Sequence, residues 1–162
     1  MGAKPETMDL YLLARTLHIL SATVLFGTGI GIAFFFWMGM RSGEPVMALF
    51  AARTTATADM IFTLCAGIAQ PLTGFWLVWL AGNDPFARWL IVTYVLYLIA
   101  LACWLPVVWL QLRIRDLYAA RLLGEGFDEA LCRRYVRWWF ALGWPAFIGL
   151  VAVFWLMVAK PL

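Results

Sequence analysis

The stretch LYLLARTLHILSATVLFGTGIGIAFFFWMGM, residues Leu10–Met40, decides the fold. It holds His18, the only histidine in the 162-residue chain. With His18 counted as neutral, Thr16–Met40 is an uncharged run of 25 residues. At ~1.5 Å per residue, a helix over that run is longer than the ~30 Å hydrocarbon core of a bilayer. Arg15 precedes His18 by three residues, so on a helix the two are expected to share a face. The second half carries Gly27, Gly29, Gly31 and Ala33, where a neighbouring helix is expected to approach closely and where a leucine at Gly31 would overpack the contact.

Composition agrees with a chain whose solvent is lipid. Hydrophobic residues make up 65% of it and charged residues only 13%, against about 25% in a soluble domain. Mean hydropathy is +0.87. So few charges cannot cover a water-facing surface, and a net charge of +3 spread along the chain excludes a nucleic-acid interface. Cys65, Cys103 and Cys132 form neither a C-x-x-C pair nor a zinc spacing. There is no soluble catalytic domain, nucleotide-binding loop or acid pair suited to hydrolysis. Whether the chain is an enzyme is left open.

Three further uncharged runs follow: Met60–Asn83, Trp89–Leu112 and Trp138–Ala159, of 24, 24 and 22 residues. Each exceeds the ~20 residues needed to cross a bilayer, and each must be helical, because lipid offers the backbone no hydrogen bonds. Turn signals lie between them: Ser42-Gly43-Glu44-Pro45, Ala81-Gly82-Asn83-Asp84-Pro85 and Gly124-Glu125-Gly126. Asp128 is the expected N-cap of the last helix. The expectation is one all-α domain over 1–162, an up-down-up-down four-helix bundle with helices at about 9–40, 46–82, 86–122 and 128–160. The first helix lacks a cleavable signal pattern and is expected to be retained.

Pro71 should bend the second helix, either with Gln70 and Thr73 satisfying the freed carbonyls or facing a polar pocket, or as a simple proline kink at which Gly74 serves packing. Arg53 and Asp59 are expected to be solvated or interfacial charges that find partners on neighbouring helices. Short loops gather Arg15, His18, Gln70, Thr73, Arg88 and Thr93 into one half of the bundle. That half is the default site, because ionisable groups in a membrane need partners. Taken alone, His18 is either a ligand or a structural histidine bonded to Gln70, Thr73 or a backbone carbonyl.

Several motifs resemble a bacterial integral-membrane family known as domain of unknown function 2269. They are Arg-Thr-Leu-His-Ile-Leu at 15–20, Gln-Pro-Leu-Thr-Gly at 70–74, Cys-Trp-Leu-Pro-Val-Val-Trp at 103–109, Trp-Phe-Ala-Leu-Gly-Trp-Pro-Ala at 139–146, and the closing Met-Val-Ala-Lys-Pro. More distantly the layout is similar to HemJ-type protoporphyrinogen oxidases and CopD-type copper-resistance membrane domains, which also place a histidine early in helix one. The resemblance implies a multi-pass protein of the bacterial inner membrane. From the HemJ-type chains it implies a b-type haem with His18 as the metal ligand; Arg15, on the face of His18, and Arg88, at a similar depth, are then expected to meet the propionates, with Gln70 and Thr73 as further cofactor-binding residues of the same layer. Those chains carry a lysine soon after a tryptophan at the start of helix three. Here Trp89 is followed by Leu90-Ile91-Val92-Thr93, so the oxidase activity is not carried over. One histidine allows a five-coordinate iron, a second ligand such as methionine, or pairing with His18 of a second copy. Copper is the weaker alternative, because Met38, Met40, Met47 and Met60 fall toward the other end of the bundle. A third alternative is a non-catalytic scaffold or subunit, with membrane lipids, a second copy or a membrane complex as partners.

Orientation is read from the twelve cationic residues. Eight (Arg41, Arg53, Arg113, Arg115, Arg121, Arg133, Arg134 and Arg137) flank the loops after helices one and three, and four (Lys4, Arg15, Arg88 and Lys160) flank the opposite side. The positive-inside rule puts the Arg-rich loops in the cytoplasm and both termini outside. In cells, a cysteine placed at Asn83 should react with an impermeant maleimide from the outside, and one at Gly124 only after the membrane is opened. The reverse pattern would invert the orientation.

Overall fold

The computed structural model describes residues 5–160, so Lys4 of the charge count and Pro161 of the closing motif lie outside the described residues. Four helices make up the fold: α1 (Pro5–Arg41), α2 (Pro45–Leu80), α3 (Arg88–Leu122) and α4 (Glu129–Ala159). No strand occurs among the described residues. All four helices are long and apolar enough to cross a membrane. Asp128 caps α4 as expected, its side chain accepting from the Leu131 N–H at 2.9 Å. Between α1 and α2 the chain turns through Gly43, whose φ of +76° a residue with a Cβ would resist.

Side-chain contacts set the direction of each neighbour. Gly39 near the end of α1 sits on Ala51 near the start of α2, and His18 meets Thr73 near the other end of α2. Between α2 and α3, Asp59 meets Trp104 and Phe75 meets Tyr94. Between α3 and α4, Trp109 packs on Tyr135 at one end and Lys160 lies over Trp89 at the other. Phe36 and Phe26 of α1 stack on Trp139 and Phe147 of α4, with ring centroids 4.4 and 5.0 Å apart. Each pairing is antiparallel, so the helices go up, down, up and down. One end holds the Arg-rich loops and the other the start of α1 and the end of α4.

The best-packed part lies toward the Arg-rich end. Phe36 and Ile114 are fully buried there, with Ile32, Ala52, Val107, Leu110, Cys132 and Trp139 around them. The outer surface is apolar on every helix, with Leu12, Phe35, Phe50, Leu98, Leu105 and Val158 all exposed, as suits contact with lipid tails. At the ends, cations lie over aromatic rings: Arg41 over Trp37, Arg113 over Trp109, Arg121 over Phe127 and Lys160 over Trp89. Such pairs let the charge reach the headgroup layer while the stem stays apolar.

Two expectations are corrected by the packing. A Cβ added at Gly27, Gly29 or Gly31 would meet nothing within 4 Å, so these glycines bring no helix into close contact. The spacing between α1 and α4 is set by aromatic rings, which hold the backbones apart. The close approach is at Gly39 instead, where an added Cβ would overlap the Ala51 side chain and press on the Met47 carbonyl. Nor do Gln70 and Thr73 satisfy the carbonyl that Pro71 frees. Proline has no N–H for the Gly67 oxygen four residues back, and the Tyr97 hydroxyl of α3 donates to it instead.

Gly39→Leu should therefore lower the stability of the bundle by about 1–3 kcal/mol or more, as overpacking of a tight contact does. Gly31→Leu should leave the apparent melting temperature in detergent nearly unchanged. Fluorescence-detected size-exclusion after a temperature ramp compares the two directly.

Candidate functional site

Polar side chains gather at two places inside the bundle. The first, near the chain ends, is built on His18. Its Nδ1 lies 2.8 Å from Thr73 Oγ1. The Thr73 hydroxyl also lies 2.7 Å from the Ala69 carbonyl, which can only accept. Thr73 has one proton, so both contacts are satisfied only when it donates to Ala69 and accepts from His18 Nδ1–H. The Nε2 lone pair is then free, and Nε2 has no hydrogen bond among the described residues. Gln70 Nε2 donates to the His18 carbonyl at 2.8 Å and to Ser21 Oγ at 2.9 Å, tying α2 to α1. Gly74 makes room for the ring: a Cβ there would come within 3.3 Å of His18 Cε1.

His18, Gln70 and Thr73 are thus brought together. Arg15 and Arg88 are not. Both are exposed, and neither makes a hydrogen bond or ion pair among the described residues. For Arg15 the reason is rotational. Ala14, one turn before His18, is fully buried, and the next residue is turned ~100° away from it. Thr93 is buried, but its hydroxyl is spent on the Trp89 carbonyl in its own helix at 2.8 Å.

The second cluster is one that sequence reasoning missed. Asp59 was expected among solvated or interfacial charges; Arg53 is indeed exposed, but Asp59 is only 3% exposed. Its Oδ1 accepts from Trp104 Nε1–H at 3.1 Å. Thr63 and the fully buried Gln111 stand beside the carboxylate. The helix widens into a π turn over Asp59–Thr63, a local irregularity that recurs at functional sites. A signal was present: Asp59 and Thr63 are spaced i, i+4, and Trp104 and Gln111 i, i+7, each pair on one helix face. Hydropathy windows average over such a face and hide it.

Above this cluster the helices leave a half-open cavity of about 700 Å³, lined by residues of all four, among them Phe34, Ile68, Leu72 and Trp144, which are also exposed on the outer surface. Asp59, Thr63, Tyr97 and Trp104 are its polar wall, while Leu25, Gly29, Pro71, Phe140 and Leu150 line the rest. His18 is not part of the lining. It lies seven residues, about 10 Å of helix, beyond Leu25. No group of three or more His, Cys, Asp or Glu converges among the described residues.

Four helices long and apolar enough to span a membrane, with an exterior rich in exposed apolar side chains, define an integral membrane bundle. The chain belongs to the family described as predicted integral membrane protein, domain of unknown function 2269, whose profile matches residues 12–161. No curated protein and no solved structure matches the chain.

The Gln70 bridge makes a quantitative test of the first cluster. Gln70→Leu removes two interhelical hydrogen bonds, and such bonds in membrane bundles contribute about 0.6–2 kcal/mol each. A loss of about 1–3 kcal/mol in unfolding free energy is expected in mixed micelles. A variant as stable as the parent would show that the bridge contributes nothing.

Proposed function

We propose that this membrane protein carries a b-type haem on His18 and serves redox chemistry in the half of the bundle nearest the chain ends. The observation that supports this reading is the state of the imidazole. Thr73 holds Nδ1–H and leaves Nε2 as a free lone pair. Histidine ligands of metals are oriented in this way, through a hydrogen bond from the other ring nitrogen. The donor chemistry fits one axial position. Arg15, one turn away and unpaired among the described residues, is available to a propionate at the membrane surface. Gln70 holds the backbone of His18 in place, and Gly74 makes room for the imidazole ring itself. With a single histidine per chain, a second imidazole ligand would be His18 of another copy. Haem bound this way supplies one-electron transfer, its potential set by the axial ligand and by hydrogen bonds to it.

Protein purified from haem-sufficient cells should show a Soret band and stoichiometric iron. His18→Ala should abolish the band while the protein stays monodisperse. Thr73→Val should keep the pigment but shift its midpoint potential, because only the bond to Nδ1 is lost. Arg15→Ala should weaken retention without removing the ligand. Colourless wild-type protein without stoichiometric metal would leave His18 as part of an α1–α2 lock and the chain as a scaffold or subunit. A Soret band retained in His18→Ala would refute the ligand.

A further inference from the structure

The cavity and Asp59 play no part in that reading, and they raise a problem of their own. Asp59 carries an ionisable group at the edge of the apolar run, in a chain whose other acidic residues lie near helix ends or in loops. Its Oδ2 is buried and without a hydrogen-bond partner. Thr63 Oγ1, both amide atoms of Gln111 and Trp139 Nε1 are likewise buried and unpartnered. Buried polar groups in folded proteins are normally paired, and exceptions ask for an explanation. In lipid the cost of leaving them open is higher still.

Among the described residues no cation pairs with the carboxylate. The ion pairs among the described residues are Arg115–Asp116 and Arg133–Glu129, both on the surface. On α1, the residues lining the cavity are uncharged from Leu25 to Phe34. On α3 and α4 the lining is uncharged as well: the aromatic Tyr97, Trp104, Trp139, Phe140 and Trp144 stand among small and aliphatic residues such as Leu101 and Val107. A volume of about 700 Å³ is that of an ordinary small-molecule site. The chamber is therefore apolar and aromatic, with one carboxyl group, that of Asp59, at its wall. Aromatic faces attract organic cations through the ring quadrupole, most strongly where water is excluded. Asp59 has hydrogen-bonding neighbours in Trp104, Thr63 and Gln111 but no ion-pair partner among the described residues, so its carboxyl group can supply the charge that an organic cation needs.

We infer that the four-helix cavity binds a hydrophobic organic cation, its charge met by Asp59 and its apolar body held among Tyr97, Trp104, Phe140 and Trp144. The π turn at Asp59–Thr63 serves this site by directing both side chains inward. Gly29 serves it by absence: a Cβ there would meet nothing, so the glycine contributes open volume to the wall. The site is independent of His18, which does not line it, so either reading can fail alone.

The test uses the full chain in lipid nanodiscs, with tetraphenylphosphonium as the cation and triphenylphosphine oxide as a neutral analogue. Binding is read from quenching of the cavity tryptophans and from displacement of labelled cation by unlabelled. Saturable binding of the cation is expected, about tenfold or more tighter than that of the neutral analogue. Asp59→Asn should weaken the cation by a similar factor and leave the neutral analogue unchanged. Gly29→Leu, which keeps Asp59 and fits without a clash at Cβ, should weaken both. It keeps the inference falsifiable if Asp59→Asn does not fold. Absence of saturable cation binding to the wild type, equal affinity in Asp59→Asn, or unimpaired binding in Gly29→Leu would each overturn it. Equal affinity for the two probes would make the chamber a site for neutral lipophiles and refute the cation.

Discussion

Hydrocarbon offers no hydrogen bonds, and most of this structure answers that constraint. Every polar group inside the bundle must find its partner on the protein, on a ligand or on a trapped water. The proline in α2 shows how the constraint links helices. Pro71 strips one donor from its own helix, and the orphaned Gly67 oxygen is met by the Tyr97 hydroxyl of α3. A local defect in one helix thus becomes a specific contact with the next. The threonines solve the same problem locally: Thr55, Thr73 and Thr93 each return their proton to a carbonyl one turn back. Gln70 turns outward from α2 and ties down α1.

Apolar contacts play a different part from the one they play in water. Lipid tails are as apolar as the helix surfaces, so helices gain from contact mainly by packing and hydrogen bonding. The bundle uses two kinds of packing. Near the Arg-rich end, Gly39 and Ala51 let α1 and α2 touch, and Phe36 stacks on Trp139 within a buried apolar core. Nearer the middle, aromatic rings hold α1 and α4 apart, and the glycines of α1 do not fill the gap. The cavity is the consequence of that spacing.

The two polar clusters differ in character. Around His18 the bonds are made, and only Nε2 remains free. Around Asp59 they are mostly unmade, and five buried atoms lack partners. The first arrangement positions one nitrogen, and the second leaves a surface to be satisfied. Membership of the family accounts for the membrane-spanning architecture of both, and the chemistry rests on the side chains themselves.

The number of spans, the positions of the turns, the antiparallel order and the Asp128 cap were all legible in the sequence. They depend on quantities that act along the chain: hydropathy over a bilayer's thickness, loop length, and the local chemistry of caps and turns. The grouping of His18 with Gln70 and Thr73 was legible too, because short loops bring those depths together. Which way each helix faces was not. Rotation by ~100° per residue separates Ala14 from Arg15, and only packing against α2 decides that the alanine enters the bundle. The same holds for Asp59, which a charge count places near the surface and a π turn places inside. It holds as well for the α1 glycines, whose composition suggests a tight contact and whose surroundings are empty. Hydropathy along a chain is blind to rotation about the helix axis. In this protein the tertiary structure decided, by that rotation, which polar groups meet and where a cavity remains.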